Sequence, residues 1–296
     1  MSICPTREIS AVHLTLVAFA FRLTAIPLSV LHINPYSKYD AGVFEDVASR
    51  TAGKIATGQF SAVPVAGVVD IWGAMLAPFW LLPGPSAVYG RLVIATLGAL
   101  AVYNVAVVAT ALHSRRAAVV AVVPMILYPS FVFVQASLLR EALVLFALTS
   151  GLRLWIAPSP MSIPTRALVV VSLFAGASIV RPENVPLYLL SAAIGGALTI
   201  ADRRNISYLP LIGFGGGLGI TVILLLDERV SRVITELNAI RRYRARGRAT
   251  YLADVFPSTL GDVIAFAWVG AAYFLFTPFP WMVENLADFV AMFEGL

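Results

Sequence analysis

One cysteine, three histidines and two lysines among 296 residues leave several chemistries without parts. The single thiol, Cys4, excludes an intramolecular disulfide and leaves the redox compartment unread. His13, His32 and His113 are scattered, which argues against a histidine-built metal site, and no Cys/His spacing of the zinc type occurs. There is no Gly-rich phosphate loop after a strand and no Ser-His-Asp arrangement. The run Gly213-Phe214-Gly215-Gly216-Gly217 lies inside apolar sequence and reads as close helix packing or a kink. No heptad or solenoid repeat is present. Charge is scarce too. Charged residues make up 12% of the chain, against about 25% in soluble domains.

Apolar residues are what the chain has in excess: 59%, with a mean hydropathy of +0.85. The apolar runs are continuous rather than alternating, so the expected spanning element is the helix and not the β-barrel strand. The expectation is one all-α membrane domain over residues 1–296. Runs long enough to cross a bilayer fall at roughly 9–31, 88–112, 117–135, 141–157, 166–181, 184–200, 207–226 and 262–279, about eight helices in all. The first run carries Arg22 and lacks a small-residue cleavage site, so it reads as an uncleaved span. Arg22 stands mid-span and must face the bundle, with a carboxylate expected as its partner. A further apolar run, 66–83, is short and broken by Pro78 and Pro83. It spans, re-enters or lies at the interface.

That choice governs the topology. If 66–83 does not cross, the short basic loops at Arg115-Arg116, Arg166 and Arg203-Arg204 are all cytoplasmic, as the positive-inside rule prefers. Asp40, Arg140, Glu141, Arg181 and Glu183 then share the outer side with two loops: 34–87, expected to hold interfacial helices, and the Arg-rich 227–261. If it does cross, the Arg-rich loop obeys the rule and three short loops violate it. The first arrangement is preferred. Within 227–261, residues 228–240 show helical periodicity and read as an amphipathic surface helix. Residues 283–296 read as a second short amphipathic helix, and Trp281 as an interfacial residue.

Several polar groups stand out against this background, each with a bland reading beside the functional one. Asp40, in Tyr39-Asp40-Ala41-Gly42, is a candidate general base at the membrane surface, or a solvated loop residue, or a helix N-cap. Glu45 and Asp46, one turn on, read as a solvated helix face. Arg140-Glu141 is a phosphate-binding and orienting pair, or a helix-start charge pair that suits the dipole. Arg181-Pro182-Glu183 is an Arg-bearing phosphate clamp or a tight polar hairpin. Arg91 opens a span on the same side. Arg241, Arg242 and Arg244 bind a lipid-linked donor's phosphate or anionic headgroups generally. Nucleic acid is not expected as a partner.

These features resemble the GT-C superfamily of polytopic glycosyltransferases, especially enzymes similar to protein mannosyltransferases and aminoarabinose transferases. The resemblance is carried by several short segments: Tyr39-Asp40 after the first span with Ala48 and Gly53 or Gly58 following, an apolar run ending in Pro83-Gly84, and Arg91 opening a long helix. Tyr128-Pro129-Ser130 before Leu139-Arg140-Glu141, then Arg181-Pro182-Glu183, then Phe276-Thr277-Pro278-Phe279-Pro280-Trp281 complete it. It spans about residues 10–290 in short, degenerate motifs. It implies a multi-pass plasma-membrane enzyme with its active face outward. A polyprenyl-phosphate sugar would be the donor, and a glycan, protein or lipid the acceptor. Asp40 would be the base, and Arg91, Arg140, Glu141, Arg181, Glu183, Arg241, Arg242 and Arg244 would bind substrate. The chain departs from the pattern in lacking the fuller acidic motif of oligosaccharyltransferases, so no residues are assigned to a divalent metal. It also closes soon after Trp281, as expected of a short member, a subunit or an inactive relative. The rival expectation is a non-catalytic transporter, flippase-like protein or assembly subunit of a surface-glycan or lipid pathway.

Overall fold

The computed structural model describes residues 5–37, 40–63, 66–82, 84–185, 188–189, 191–192, 195, 234–235, 238–239, 255–276, 279–284, 288–289 and 292–293. Among these residues the secondary structure is helical, with no strand. The chain divides into two compact units, Met1–Ile206 and Ser207–Leu296. Three helices are long and apolar enough to cross a membrane, at Ala11–Val30, Ala87–Leu112 and Ile163–Val180. These are the features of an integral membrane protein.

The first unit is built on α5 (Ala87–Leu112), which packs against α1 (Pro5–Val30), α6 (Arg115–Leu127) and α8 (Glu141–Ile156). Its buried positions include Gly90, Ala95, Gly98, Ala99, Ala101 and Ala106. Small side chains let helix backbones approach closely where lipid offers no hydrophobic drive to association. Ser86 caps α5 by accepting from the Val88 amide at 3.2 Å, and Ser114 caps α6 through the Ala117 amide at 3.2 Å. α9 (Ile163–Val180) packs on α8, with Gly151 pressed against the Phe174 ring.

Residues 117–135 do not form one helix as expected. The helix breaks at Tyr128 and resumes as α7 (Pro129–Val134). The residue before a proline is forced out of the helical region, and Tyr128 sits at φ −66°, ψ 121°. Pro129 has no N–H, so the Met125 carbonyl loses its intrahelical donor. Arg22 replaces it: Nη2 donates to Met125 O at 3.0 Å, Nη1 to Ala18 O at 2.7 Å, and Nε to Gln135 Oε1 at 2.8 Å. The expected carboxylate partner is thus an amide and two helix carbonyls. The negative ends of α6 and α7 face this fully buried cation.

Between α1 and α5 lie α2 (Asp40–Ala56), α3 (Val68–Leu76) and α4 (Pro78–Leu81). α2 buries Ala41, Phe44, Val47, Ala48, Thr51 and Ala52, one face at helical spacing, and packs on α3 where Gly73 accommodates Val47. Segment 66–83 does not cross the bundle. Glu45 before it and Arg91 after it are in contact, and Trp72 within it donates to Leu138 O at 2.9 Å, ahead of α8. All of these contacts lie at the end where α1 finishes and α5 and α8 begin, the head end.

In the second unit, α10 (Leu260–Phe276) starts in a reciprocal cap. The Asp262 carboxylate accepts from the Ser258 and Thr259 amides, and the Asp262 amide donates to Thr259 Oγ1 at 3.1 Å. The expected spans 184–200 and 207–226, the helices 228–240 and 283–296, and the glycine run 213–217 lie largely or wholly outside the described residues.

A Cβ added at Gly98 would overlap Gln135 Oε1 and stand 2.9 Å from Arg22 Nε, whereas one added at Gly176 meets nothing within 4 Å. Gly98→Ala is therefore expected to cost about 1–3 kcal/mol through overpacking of a polar contact, and Gly176→Ala is expected to be neutral or slightly stabilising. Thermal unfolding of the two variants in detergent checks this. Equal melting temperatures would remove Arg22–Gln135 as a close-packed junction.

Candidate functional site at the head of the bundle

Five polar groups singled out from the sequence lie at the head end, Asp40, Arg91, Arg140, Glu141 and Arg181, and Asn34 and Trp72 join them there. Asp40 is the first residue of α2 and is exposed. Phe44 follows at i+4, hence on the same helix face with Cβ atoms about 5–6 Å apart. The Arg140 guanidinium lies over the Phe44 ring, 5.3 Å from its centroid, and its Nη1 donates to Val180 O at 2.7 Å, closing the last turn of α9. Glu141, beside it, pairs with Arg181, whose Nη2 donates to Glu141 Oε1. The side chains of Arg181 and Glu141 stay 25% and 38% exposed, so water and solutes reach the pair. Glu141 Oε2 is shielded and accepts no hydrogen bond. Arg140, Glu141 and Arg181 thus stand together at the start of α8, where the helix N-terminus adds a partial positive charge.

Arg91 behaves differently. It is fully buried, and Nη2 reaches Glu45 Oε2 at 2.7 Å and Ser29 O at 3.4 Å, while Nη1 donates to Ala87 O at 3.0 Å. This guanidinium ties together the C-terminal turn of α1, the body of α2 and the first turn of α5. It is a structural junction with no open face. Glu45 is accordingly not a solvated residue as expected from the sequence. It flanks the buried stripe of α2 and stays only 25% exposed. Its neighbour Asp46 is exposed, as expected.

The connector from α7 to α8, which presents Arg140 and Glu141, is pinned by two further groups. Asn34 Nδ2 lies 2.7 Å from Ser29 Oγ, 2.9 Å from Phe133 O and 2.9 Å from Ser137 Oγ. Trp72 holds the Leu138 carbonyl. Asn34 and Trp72 are polar-tipped residues next to apolar runs, and that was their only signal in sequence. Phe44 carried a clearer one, its i+4 spacing from Asp40.

Glu183 falls in a short 3-10 turn, Pro182–Asn184, and its side chain is outside the described residues, as are Arg241, Arg242 and Arg244. Among the described residues no group of three or more His, Cys, Asp or Glu could hold a metal ion.

Removing Glu45 strands a fully buried guanidinium, the costly half of breaking a buried pair. Glu45→Ala is expected to destabilise the protein by about 2–4 kcal/mol, while Asp46→Ala at the exposed neighbour stays within about 0.5 kcal/mol. Denaturation midpoints of the two variants measure the contrast. Indistinguishable midpoints would show that Arg91 finds water or another partner.

The chain matches no family model, no curated protein and no solved structure, so its functional reading rests on the residues themselves.

Proposed function

We propose that the chain is a polytopic membrane glycosyltransferase of the GT-C kind, transferring a sugar from a polyprenyl-phosphate donor to an acceptor hydroxyl or amine, with Asp40 as the base. The observation that supports this most is the neighbourhood of Asp40. Its carboxylate is exposed at the start of α2, one helical turn from the ring covered by Arg140. In this reading a base stands at the same end of the bundle as Arg140 and Arg181. A donor phosphate would meet the partly exposed Arg181–Glu141 pair, with Arg140 beside it. Glu183, Arg241, Arg242 and Arg244 remain candidate substrate-binding residues on their sequence pattern alone.

In the proposed reaction Asp40 takes the acceptor's proton as the acceptor atom bonds to the anomeric carbon. The bond from that carbon to the phosphate oxygen breaks, and polyprenyl phosphate leaves with its charge held by the arginines. One displacement inverts the anomeric centre. In this reading the bundle has about eight spans and the head end faces outward. Loops 113–116 and 157–166 at the opposite end carry Arg115, Arg116 and Arg166 and no carboxylate, which suits a cytoplasmic side.

A non-catalytic transport or assembly role is the second reading. Buried polar groups well inside the helices favour it: Arg22, Asn104, Thr149 and Ser150. Their hydrogen bonds to one another and to backbone weaken it. Asn104 donates to Ser150 at 2.8 Å, and Arg22 is met on every side.

The first test is mass spectrometry of surface glycans and lipid-linked sugars in a deletion strain complemented with wild type or Asp40→Asn. Loss of one sugar, accumulation of its polyprenyl-phosphate donor, and rescue by wild type alone are expected. Full rescue by Asp40→Asn at normal expression would remove the base. Unchanged glycans in the deletion strain would move the weight to the transport or assembly reading. With an assay in hand, Arg181→Ala is expected to raise the donor KM more than the acceptor KM. Unchanged donor dependence would leave Arg181 as a hairpin residue only.

A further inference from the structure

Most apolar side chains of the α2–α4 segment are packed away, yet the loop that leaves α4 presents Leu82 at 79% exposure. The height of that loop on the bundle is set by its neighbours. Trp80 sits against Gly90 so closely that a Cβ there would lie 3.0 Å from the indole ring. Gly90 precedes Arg91, whose Nη2 reaches the Ser29 carbonyl in the last turn of α1. Trp80, Arg91 and Ser29 therefore stand at one level. Two residues past Trp80 is Leu82, and two and four residues past Ser29 are Leu31 and Ile33, exposed at 67% and 62%. Three large apolar side chains thus face outward at the level where α1 ends and α5 begins.

Directly below this level the surface is apolar. A groove of about 480 Å³ between α1 and α5 is lined by Leu23, Ile26, Pro27, Val30, Leu31, Val88 and Leu92, with no charged or polar side chain. It runs without a break into the exposed Leu23 and Leu28 of α1, a helix long and apolar enough to cross a membrane. Immediately above, the chain turns polar: Asn34 and Ser37 bond within the loop, and Asp40 and Asp46 are exposed. Such a change from apolar groove to polar loop over a few residues matches the boundary between acyl chains and headgroups.

We infer that Leu31, Ile33 and Leu82 form an interfacial collar seated among the upper acyl chains of the head-end leaflet, so that Val68–Leu82 lies in that interface as a half-inserted element. The partner of this surface is lipid. The collar continues the lipid-facing side of α1, and the exposed residues that form it carry no hydrogen-bonding side chain that a protein partner would read. The consequence is that α2, with Asp40 at its start, is held at the membrane surface from below as well as by the Glu45–Arg91 pair. The inference depends on the chain being a membrane protein and is independent of sugar transfer.

The test uses the full chain with Cys4→Ser, a fluorescent label at Leu82→Cys or Leu31→Cys, and phosphatidylcholine vesicles carrying spin labels high or low on the acyl chain. Leu168→Cys on the exposed side of α9 is the deep reference, and Asp46→Cys is the aqueous one. Labels at 82 and 31 are expected to lose more fluorescence to the shallow spin label than to the deep one or to iodide in water. Iodide quenching at 82 equal to that at 46, with no lipid quenching, would overturn the collar. So would deep quenching equal to that at 168, which would place the loop in the bilayer core. Both positions are highly exposed, and a monodisperse elution profile confirms that each labelled variant is folded.

Discussion

A guanidinium that cannot reach water has to be matched inside the bundle, and two of them organise this protein. Charged groups are expensive in an apolar interior unless every donor finds an acceptor. Arg22 and Arg91 are both fully buried. Arg22 meets helix carbonyls and an amide, and Arg91 meets one carboxylate and helix carbonyls through its two Nη atoms, its Nε being buried with no hydrogen-bond partner among the described residues. In each case the acceptors come from different parts of the chain, so satisfying the charge brings helices into register. The contribution of each is best seen as specificity of arrangement, since a well-packed apolar replacement of a buried ion pair is often no less stable.

Proline and arginine act together at the first of these sites. Pro129 stops one helix and frees a carbonyl, and the arginine of another helix takes that carbonyl. The break in turn lets the chain rise as α7 and a short connector to Arg140 and Glu141. Asn34 and Trp72 pin the connector from two sides. At the head end Arg140, Glu141 and Arg181 form a partly open charged group, and Arg91 and Glu45 form a closed one. The same residue types form a partly exposed pair in one place and a buried junction in the other.

Much of the helical pattern was legible because apolar run length and helix-start residues are local properties. Ser86, Ser114 and Ser162 sit where the helices begin, and α5, α8 and α9 start and stop within a few residues of the apolar runs. The break at Tyr128 was less legible, because Pro129 is tolerated in a helix whose freed carbonyl finds another donor, and that donor is 103 positions away. Asp40, Arg140, Glu141 and Arg181 were visible as charges beside apolar sequence. The contacts of Phe44, Glu45, Asn34 and Trp72 were not, since an aromatic on an amphipathic helix or a polar residue in a loop looks the same whether it packs on a distant guanidinium or on nothing.

Composition alone fixes the class of molecule: a chain this apolar, with continuous runs and few charges, can bury its backbone in lipid only as helices. What each charge contacts was decided by the tertiary structure alone. Arg91 and Arg140 each stand at the head of an apolar helix, and nothing local distinguishes them. One lies where three helices converge and loses all contact with water, and the other lies over the Phe44 ring and bonds the last turn of α9. Segment 66–83 shows the same division: its hydropathy suits a span or an interface equally, and its packing against the head end comes from Trp72 on the Leu138 carbonyl and Trp80 on Gly90.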